Sequence, residues 1–200
     1  MRERKFIIFE GVDGGGKTTL SVKLYNHLKK TKKVKLIREP GSTLVGEKIR
    51  KILAENQLFP ETQLFLFLAS RSEIYNGLKN CKEDIIIMDR SFLSTLAYQS
   101  VLLNISIEKL HDFHSLIPIP FRMPLVFILF ANPFILKKRF DKNHIFHKML
   151  SVRVLKQIEE QYRKLKDIFK DYKFVYLDAS QTIDYLYREI LEKVDIYLQG

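Results

Sequence analysis

The sequence predicts an α/β domain in which a five-stranded parallel sheet is covered by helices on both faces. Five short apolar runs, Lys5–Phe9, Val34–Ile37, Ile85–Met88, Leu125–Phe130 and Phe174–Leu177, alternate with stretches of helical character. The clearest of these runs are continuously apolar, as strands buried on both faces are. The length, 200 residues with 46% hydrophobic content, suits one domain with a good-sized core. Parallel strands need crossover connections, and the helical stretches supply them. In such sheets ligands sit at the carboxyl ends of the strands.

The elements follow in order. Lys5–Phe9 is a buried strand, and a glycine-rich turn opens a helix from Thr18 to about Lys30 with Leu20, Leu24 and Leu28 on one face. Val34–Ile37 is the second strand, and Glu39-Pro40-Gly41-Ser42 reads as a turn. Helices follow over about Leu44–Ala54 and, opened by Pro60, to about Leu78. Ile85–Met88 is a third strand ending at Asp89. Helices are then expected over Ser91–Val101 and Ile107–Leu116, and Pro118 and Pro120 break the chain. Leu125–Phe130 is the fourth strand, and Pro133 starts a helix to about Phe140. Asp141–Lys148 is polar and irregular. A long helix from about Leu150 to Phe169, a strand at Phe174–Leu177 and a helix over Ile183–Leu198 complete the chain.

Composition narrows the function classes. No apolar run approaches the roughly 20 residues of a membrane span, and Met1-Arg-Glu-Arg-Lys5 lacks the apolar core of a signal peptide. Cys81 is the single cysteine, so no intrachain disulfide forms and a reducing cytoplasmic location is expected. The net charge of +11 fits a cleft for a multiply charged anion. It also fits solvated lysines, as in Lys29-Lys30-Thr31-Lys32-Lys33 at a helix end. The cations are spread along the chain and no nucleic-acid module is seen, so no nucleic-acid partner and no membrane partner are expected.

The chemistry concentrates at the first strand's end. Gly11-Val12-Asp13-Gly14-Gly15-Gly16-Lys17-Thr18, preceded by a strand and followed by a helix, is a phosphate-binding loop in its required context. Its glycines turn the backbone so that N–H groups face phosphate oxygens, and the helix N-terminus adds positive potential. Lys17 reaches the outer phosphates and the Thr18 hydroxyl suits Mg²⁺. Asp89, after a wholly apolar strand, suits a carboxylate holding the same ion. Arg90 beside it has the forked donors that a phosphate needs. Phe67 and Arg71 lie one helical turn apart and form a patch able to stack on a base and hydrogen-bond its edge. Phe67 alone would read as core, since it lies in the apolar run Leu64–Leu68. Tyr98 fits core and site equally. His111 and His114 are spaced as a zinc pair could be, but without a third ligand they read as helix-surface residues.

At this point the chain resembles the thymidylate kinase family. The resemblance rests on Phe9-Glu-Gly-Val-Asp-Gly-Gly-Gly-Lys-Thr-Thr19, Arg38-Glu-Pro-Gly41, Gly46-Glu-Lys-Ile-Arg50, Phe67-x-x-x-Arg71 and Asp89-Arg-Ser-Phe-Leu-Ser-Thr-Leu-Ala-Tyr-Gln99, in order over nearly the whole chain. It implies one phosphate-loop kinase domain over residues 1–200, transferring phosphate from ATP to dTMP with Mg²⁺, and a homodimer formed by helix packing. It also implies roles. Gly11 to Thr19, with Lys17 foremost, and Arg139 serve ATP; Thr18 and Asp89 serve the metal. Phe67 stacks on thymine, Arg71 donates to a thymine carbonyl, and Ser94, Thr95 and Gln99 line the base pocket. Tyr98 packs against deoxyribose, Arg50 and Arg90 clamp the monophosphate, Asp13 faces the sugar and acceptor phosphate, and Glu39 joins the metal or phosphate network.

Three departures from the family stand out. The family carries an extra catalytic arginine in the phosphate loop or in a lid; here the loop has Gly14 and Gly15, and the lid, about 141–148, reads Asp-Lys-Asn-His-Ile-Phe-His-Lys. Arg153 is the candidate to replace it. Ser42 stands where a second glycine is usual, and Ser91 where an aromatic or histidine is usual, which predicts an altered pocket wall. Two other readings stay open: a sister kinase with another acceptor, and a non-catalytic nucleotide-binding protein.

Overall fold

The computed structural model describes residues 4–132, 135 and 151–199. Its strands are β1 (Lys5–Gly11), β2 (Val34–Arg38), β3 (Ile85–Asp89), β4 (Leu125–Phe130) and β5 (Lys173–Asp178). They form one wholly parallel sheet in the order β2-β3-β1-β4-β5. The strands nearest the centre have the longest unbroken apolar runs. Phe6–Phe9 of β1, Ile85–Met88 of β3 and the whole of β4 are buried, whereas the edge strand β5 is half-exposed. The other edge strand, β2, likewise has a single buried residue, as expected of a sheet packed on both faces with open edges.

The helices are α1 (Lys17–Leu28), α2 (Leu44–Glu55), α3 (Pro60–Gly77), α4 (Phe92–Leu102), α5 (Ile107–His114), α6 (Val152–Ile168) and α7 (Ile183–Gln199). Local chemistry sets their starts. Thr43, Ser91, Ser106 and Ser151 each accept a backbone N–H at the N-termini of α2, α4, α5 and α6. Pro60 stands in the first turn of α3, where its missing N–H is no loss. The expected ends hold to within about two residues. The helix expected over Pro133–Phe140, apart from Ile135, and the lid at 141–148 lie outside the described residues.

Helix α4 differs from its expected role. The helix packing that the resemblance implies would share the apolar faces of the Leu64–Leu78 and Ser91–Val101 helices between site and dimer interface. Instead every residue from Phe92 to Ser100 is buried within the chain, because α3, α5 and α6 enclose it. Among the apolar side chains left exposed, Leu44, Ile52, Phe59 and Phe65 lie on or beside α2 and α3.

The register aligns the strand ends that carry the site. Phe9 lies beside both Asp89 and Phe127, and Gly11 beside Leu129. At Gly11 the chain takes φ +121°, and a Cβ there would sit 2.2 Å from the Leu129 carbonyl oxygen. Only glycine lets the loop leave the sheet at this point.

Candidate active site

Two adjoining cavities open at the carboxyl ends of the strands. One, of about 330 Å³, lies over the glycine-rich loop and is lined by Gly14, Gly16, Lys17, Thr18, Thr19 and Asp89 among others. The second, of about 300 Å³, runs between α3 and α4 and is lined by Gln63, Phe67, Arg71, Thr95, Tyr98 and Gln99 among others. Asp13, Glu39, Arg50 and Arg90 line both cavities.

The first cavity is a phosphate cradle. Gly16, at φ 87°, turns the loop into α1, whose first turn has no acidic residue to occupy its N–H groups. Lys17 is buried, donates to the Val12 carbonyl at 2.8 Å and lies 3.9 Å from Asp13. Burial, reinforced by the Arg90 charge, lowers its pKa to about 8. The Val12 side chain belongs to the core, so its contribution here is that carbonyl. The Thr18 hydroxyl donates to Asp89 at 2.5 Å. A hydroxyl and a carboxylate side by side at the cradle's mouth are hard oxygen donors that fit Mg²⁺, which takes one or two protein ligands and completes its shell with phosphate and water. Among the described residues no group of three His, Cys, Asp or Glu is placed to hold a metal.

Arg90 bridges the cavities. It donates to Asp13, to the Gly11 carbonyl at 3.3 Å and to the Ser94 hydroxyl at 2.8 Å, and it lies over the Tyr98 ring. Tyr98 donates to Asp13 at 3.1 Å. The Ser94 hydroxyl is thus engaged in holding Arg90, although the residue lines the second cavity. Arg50 donates to the Pro40 carbonyl at 3.1 Å and reaches the wall common to both cavities.

The second cavity has one aromatic wall and a polar floor. Phe67 is half-buried on its wall, which resolves the choice between core and cavity. Arg71 is 2% exposed and donates to Glu39 at 2.7 Å and to Thr95 at 3.0 Å. Burial pushes the Glu39 carboxyl above its ordinary range, and Arg71 opposes that push. Gln99 is buried, and neither its amide nitrogen nor its oxygen has a hydrogen-bond partner among the described residues. A buried amide with both ends unsatisfied is costly in a folded chain, and it is what a base-edge partner would satisfy.

Three residues of this region escape sequence reasoning. Glu10 is fully buried and accepts from the Ser91 N–H at 2.7 Å, the Ser91 hydroxyl at 2.8 Å, the Ser94 hydroxyl, and the Tyr162 hydroxyl at 3.0 Å. It ties β1 to α4 and α6; its one signal was a carboxylate ending a buried apolar strand. Arg38 lines the phosphate cavity beside Lys17, Arg50 and Arg90. His114 is not a surface residue: it is 1% exposed and touches Arg71. The helix α5 turns that face into the core because Ile107 and Leu110 pack on the same side.

The departures also resolve locally. Ser42 adopts φ 60°, the conformation glycine would favour, and is held there by its hydroxyl accepting from the Arg38 N–H and its N–H donating to Glu47, both at 2.8 Å. Ser91 caps α4 and turns its hydroxyl to Glu10. Arg153 stands exposed in the first turn of α6 and lines neither of the two cavities. Arg139 and the lid cations lie outside the described residues.

The family model for thymidylate kinase matches residues 9–190. The chain belongs to the thymidylate kinase family. A thymidylate kinase from Thermosipho africanus is 35% identical over 98% of this chain and 100% of its own length. One from Caldanaerobacter subterraneus is 32% identical over 98% and 97%. The crystal structure of thymidylate kinase from Ehrlichia chaffeensis, 24% identical, superposes with a TM-score of 0.76 over 96% of this chain and 99% of that one, and so shares the fold. The doubly covered parallel sheet with its phosphate loop is the family's architecture.

Proposed function

We propose that this chain transfers the terminal phosphoryl group of ATP to dTMP, giving ADP and dTDP. The observation that carries the reading is the common wall of the two cavities, formed by Asp13, Glu39, Arg50 and Arg90. A nucleoside monophosphate with its base against Phe67 brings its phosphate to that wall, where the triphosphate's outer phosphate also arrives. Phosphoryl transfer asks mainly for such alignment and for cations around the moving charge. Lys17, Arg38, Arg50 and Arg90 are the described cations on the phosphate side. The acceptor is already an anion, so no general base is assigned. Thr18 and Asp89 would hold Mg²⁺, which would screen the phosphate charge. The 300 Å³ base cavity suits a pyrimidine, with Gln99 and Arg71 at its polar edge and Tyr98 beside the sugar.

The chain acts as one domain, and Arg153 is the described candidate for the transition-state cation that the family keeps in loop or lid. Exposed Phe59 and Phe65 with Leu44 and Ile52 support a homodimer through α2 and α3. No helix among the described residues is long and apolar enough to cross a membrane, and with one free cysteine this fits a cytoplasmic enzyme.

A coupled ADP-release assay with ATP, Mg²⁺ and dTMP tests the reading. Turnover must require dTMP and disappear in Lys17→Ala. Binding of both nucleotides without turnover would leave a nucleotide-binding protein, and preference for dCMP or UMP would leave a sister kinase.

A further inference from the structure

The guanidinium of Arg71 offers five N–H groups. Four are committed inside the protein. Nε donates to Glu39 Oε2 at 2.7 Å, and Nη2 to Thr95 Oγ1 at 3.0 Å and to the Ser91 carbonyl at 3.3 Å. Nη1 lies 2.9 Å from His114 Nε2. The other His114 nitrogen, Nδ1, lies 2.8 Å from the Leu110 carbonyl. A carbonyl oxygen can only accept, so Nδ1 carries the ring proton and Nε2 presents its lone pair to Arg71. Burial, then the neighbouring Arg71 charge, lowers the His114 pKa to about 3, so the ring is neutral wherever the enzyme would work.

These partners arrive from different elements: Glu39 from the end of β2, Ser91 and Thr95 from the start of α4, His114 from the end of α5. His114 does not line the base cavity; Arg71, Thr95 and Glu39 do. It stands behind Arg71, with its ring packed 5.7 Å from that of Phe92. One N–H remains, on Nη1, the nitrogen that His114 holds. We propose that His114 is a positioning residue for base recognition: by accepting one Nη1 hydrogen it fixes the guanidinium plane and leaves a single donor for one pyrimidine carbonyl. The inference rests on reading this cavity as the dTMP site. An apolar side chain in its place would leave two loose donors on Nη1 and one guanidinium edge without an anchor.

The test is steady-state kinetics of His114→Leu and His114→Gln, with Arg71→Ala in parallel. His114→Leu should raise the KM for dTMP about tenfold, the size expected for a lost hydrogen bond to a charged group. The KM for ATP should stay within about twofold of the wild-type value, and the preference for dTMP over dCMP should fall. His114→Gln, whose amide oxygen can accept near the Nε2 position, should recover most of the loss. An unchanged dTMP KM in His114→Leu, while Arg71→Ala raises it strongly, overturns the role of His114 and leaves the cavity reading intact. Equal rises in both KM values, or no recovery by glutamine in a folded protein, make the ring a core filler and overturn the proposal. An unchanged dTMP KM in Arg71→Ala overturns the cavity reading and the proposal together.

Should His114→Leu fail to fold, ¹⁵N spectra of the histidine-labelled wild-type protein decide. A protonated Nδ1 with an unprotonated Nε2 whose resonance moves on adding dTMP, and not on adding ATP, supports the proposal. The opposite tautomer, or no response to dTMP, refutes it.

Discussion

The two cavities share a wall but are built in opposite ways. The phosphate cradle draws more than half of its lining from one stretch of chain, Asp13 to Thr19, placed by a strand end on one side and a helix start on the other. The base cavity is mostly side chains from the end of β2, α2, α3 and α4, and its key arginine is fixed by a fifth element, α5. A cradle built largely on one contiguous loop owes its form to local glycine geometry. A cavity of converging side chains owes its form to the whole fold. Damage to the first should therefore stay with the chemistry, and damage to the second should spread into stability.

Substitutions can break that contrast. The largest effect should come from Lys17→Met: a loss in kcat of about 10²-fold or more, as when one transition-state donor is removed. Its melting temperature should hold or rise, because a buried ammonium with a lowered pKa costs stability. The sign follows from linkage. Below pH 8 Lys17 is charged in the folded and unfolded chains alike, and the folded state bears the full burial cost. Between about 8 and the ordinary 10.5 the folded chain releases a proton that the unfolded chain keeps, so wild-type stability gains with pH over that window. The stabilisation in Lys17→Met should be greatest below pH 8 and fade above it, as melting curves across pH would show.

Arg71→Ala should do the reverse. It strands Glu39 as a buried carboxyl without its counter-charge, so chemical denaturation should show a loss of about 3 kcal/mol or more, the usual cost of breaking a buried pair. If Arg71→Ala is as stable as the wild type, the base cavity is no more tied to the fold than the cradle is.

Gln99→Leu sharpens the contrast within the base cavity. The amide has no described partner when the cavity is empty, so leucine should keep or slightly raise the stability of the free protein. The KM for dTMP should still rise about tenfold. Loss of stability without a change in KM would make Gln99 structural.

The smallest signal is a proton. Bound triphosphate favours the charged form of Lys17, so ATP binding near pH 8.5 should take up a fraction of one proton, and none near pH 6.5. Calorimetry in buffers of differing ionisation enthalpy measures this, and Lys17→Met should remove it. No uptake at pH 8.5 in the wild type would mean that the lysine is already fully charged in the free protein.

What could be read in advance follows the same division. The strands were legible because burial on both faces leaves continuous apolar runs, and the loop because backbone conformation is written in glycine spacing. Asp89 and Arg90 were legible as polar residues directly after an apolar strand. Glu10 was not, because its four donors come from α4 and α6 rather than from its own neighbourhood. His114 was misread for a related reason: a short amphipathic helix shows which residues share a face, but not that the face turns toward α3 and Arg71. That α4 is enclosed within the chain was not legible either, since an all-round apolar helix looks the same inside one chain as between two.

Residue order alone was therefore sufficient for the parallel sheet, the phosphate cradle, the carboxylate and arginine at the end of β3, and the pairing of Phe67 with Arg71. Each of these is encoded within a few residues by periodicity, glycine spacing or helical phase. The tertiary structure alone decided the wall that joins the two cavities, the burial of α4, the four anchors on Arg71 and the tautomer of His114. Those depend on which distant segments come within hydrogen-bond reach, and only packing the apolar faces together sets that distance.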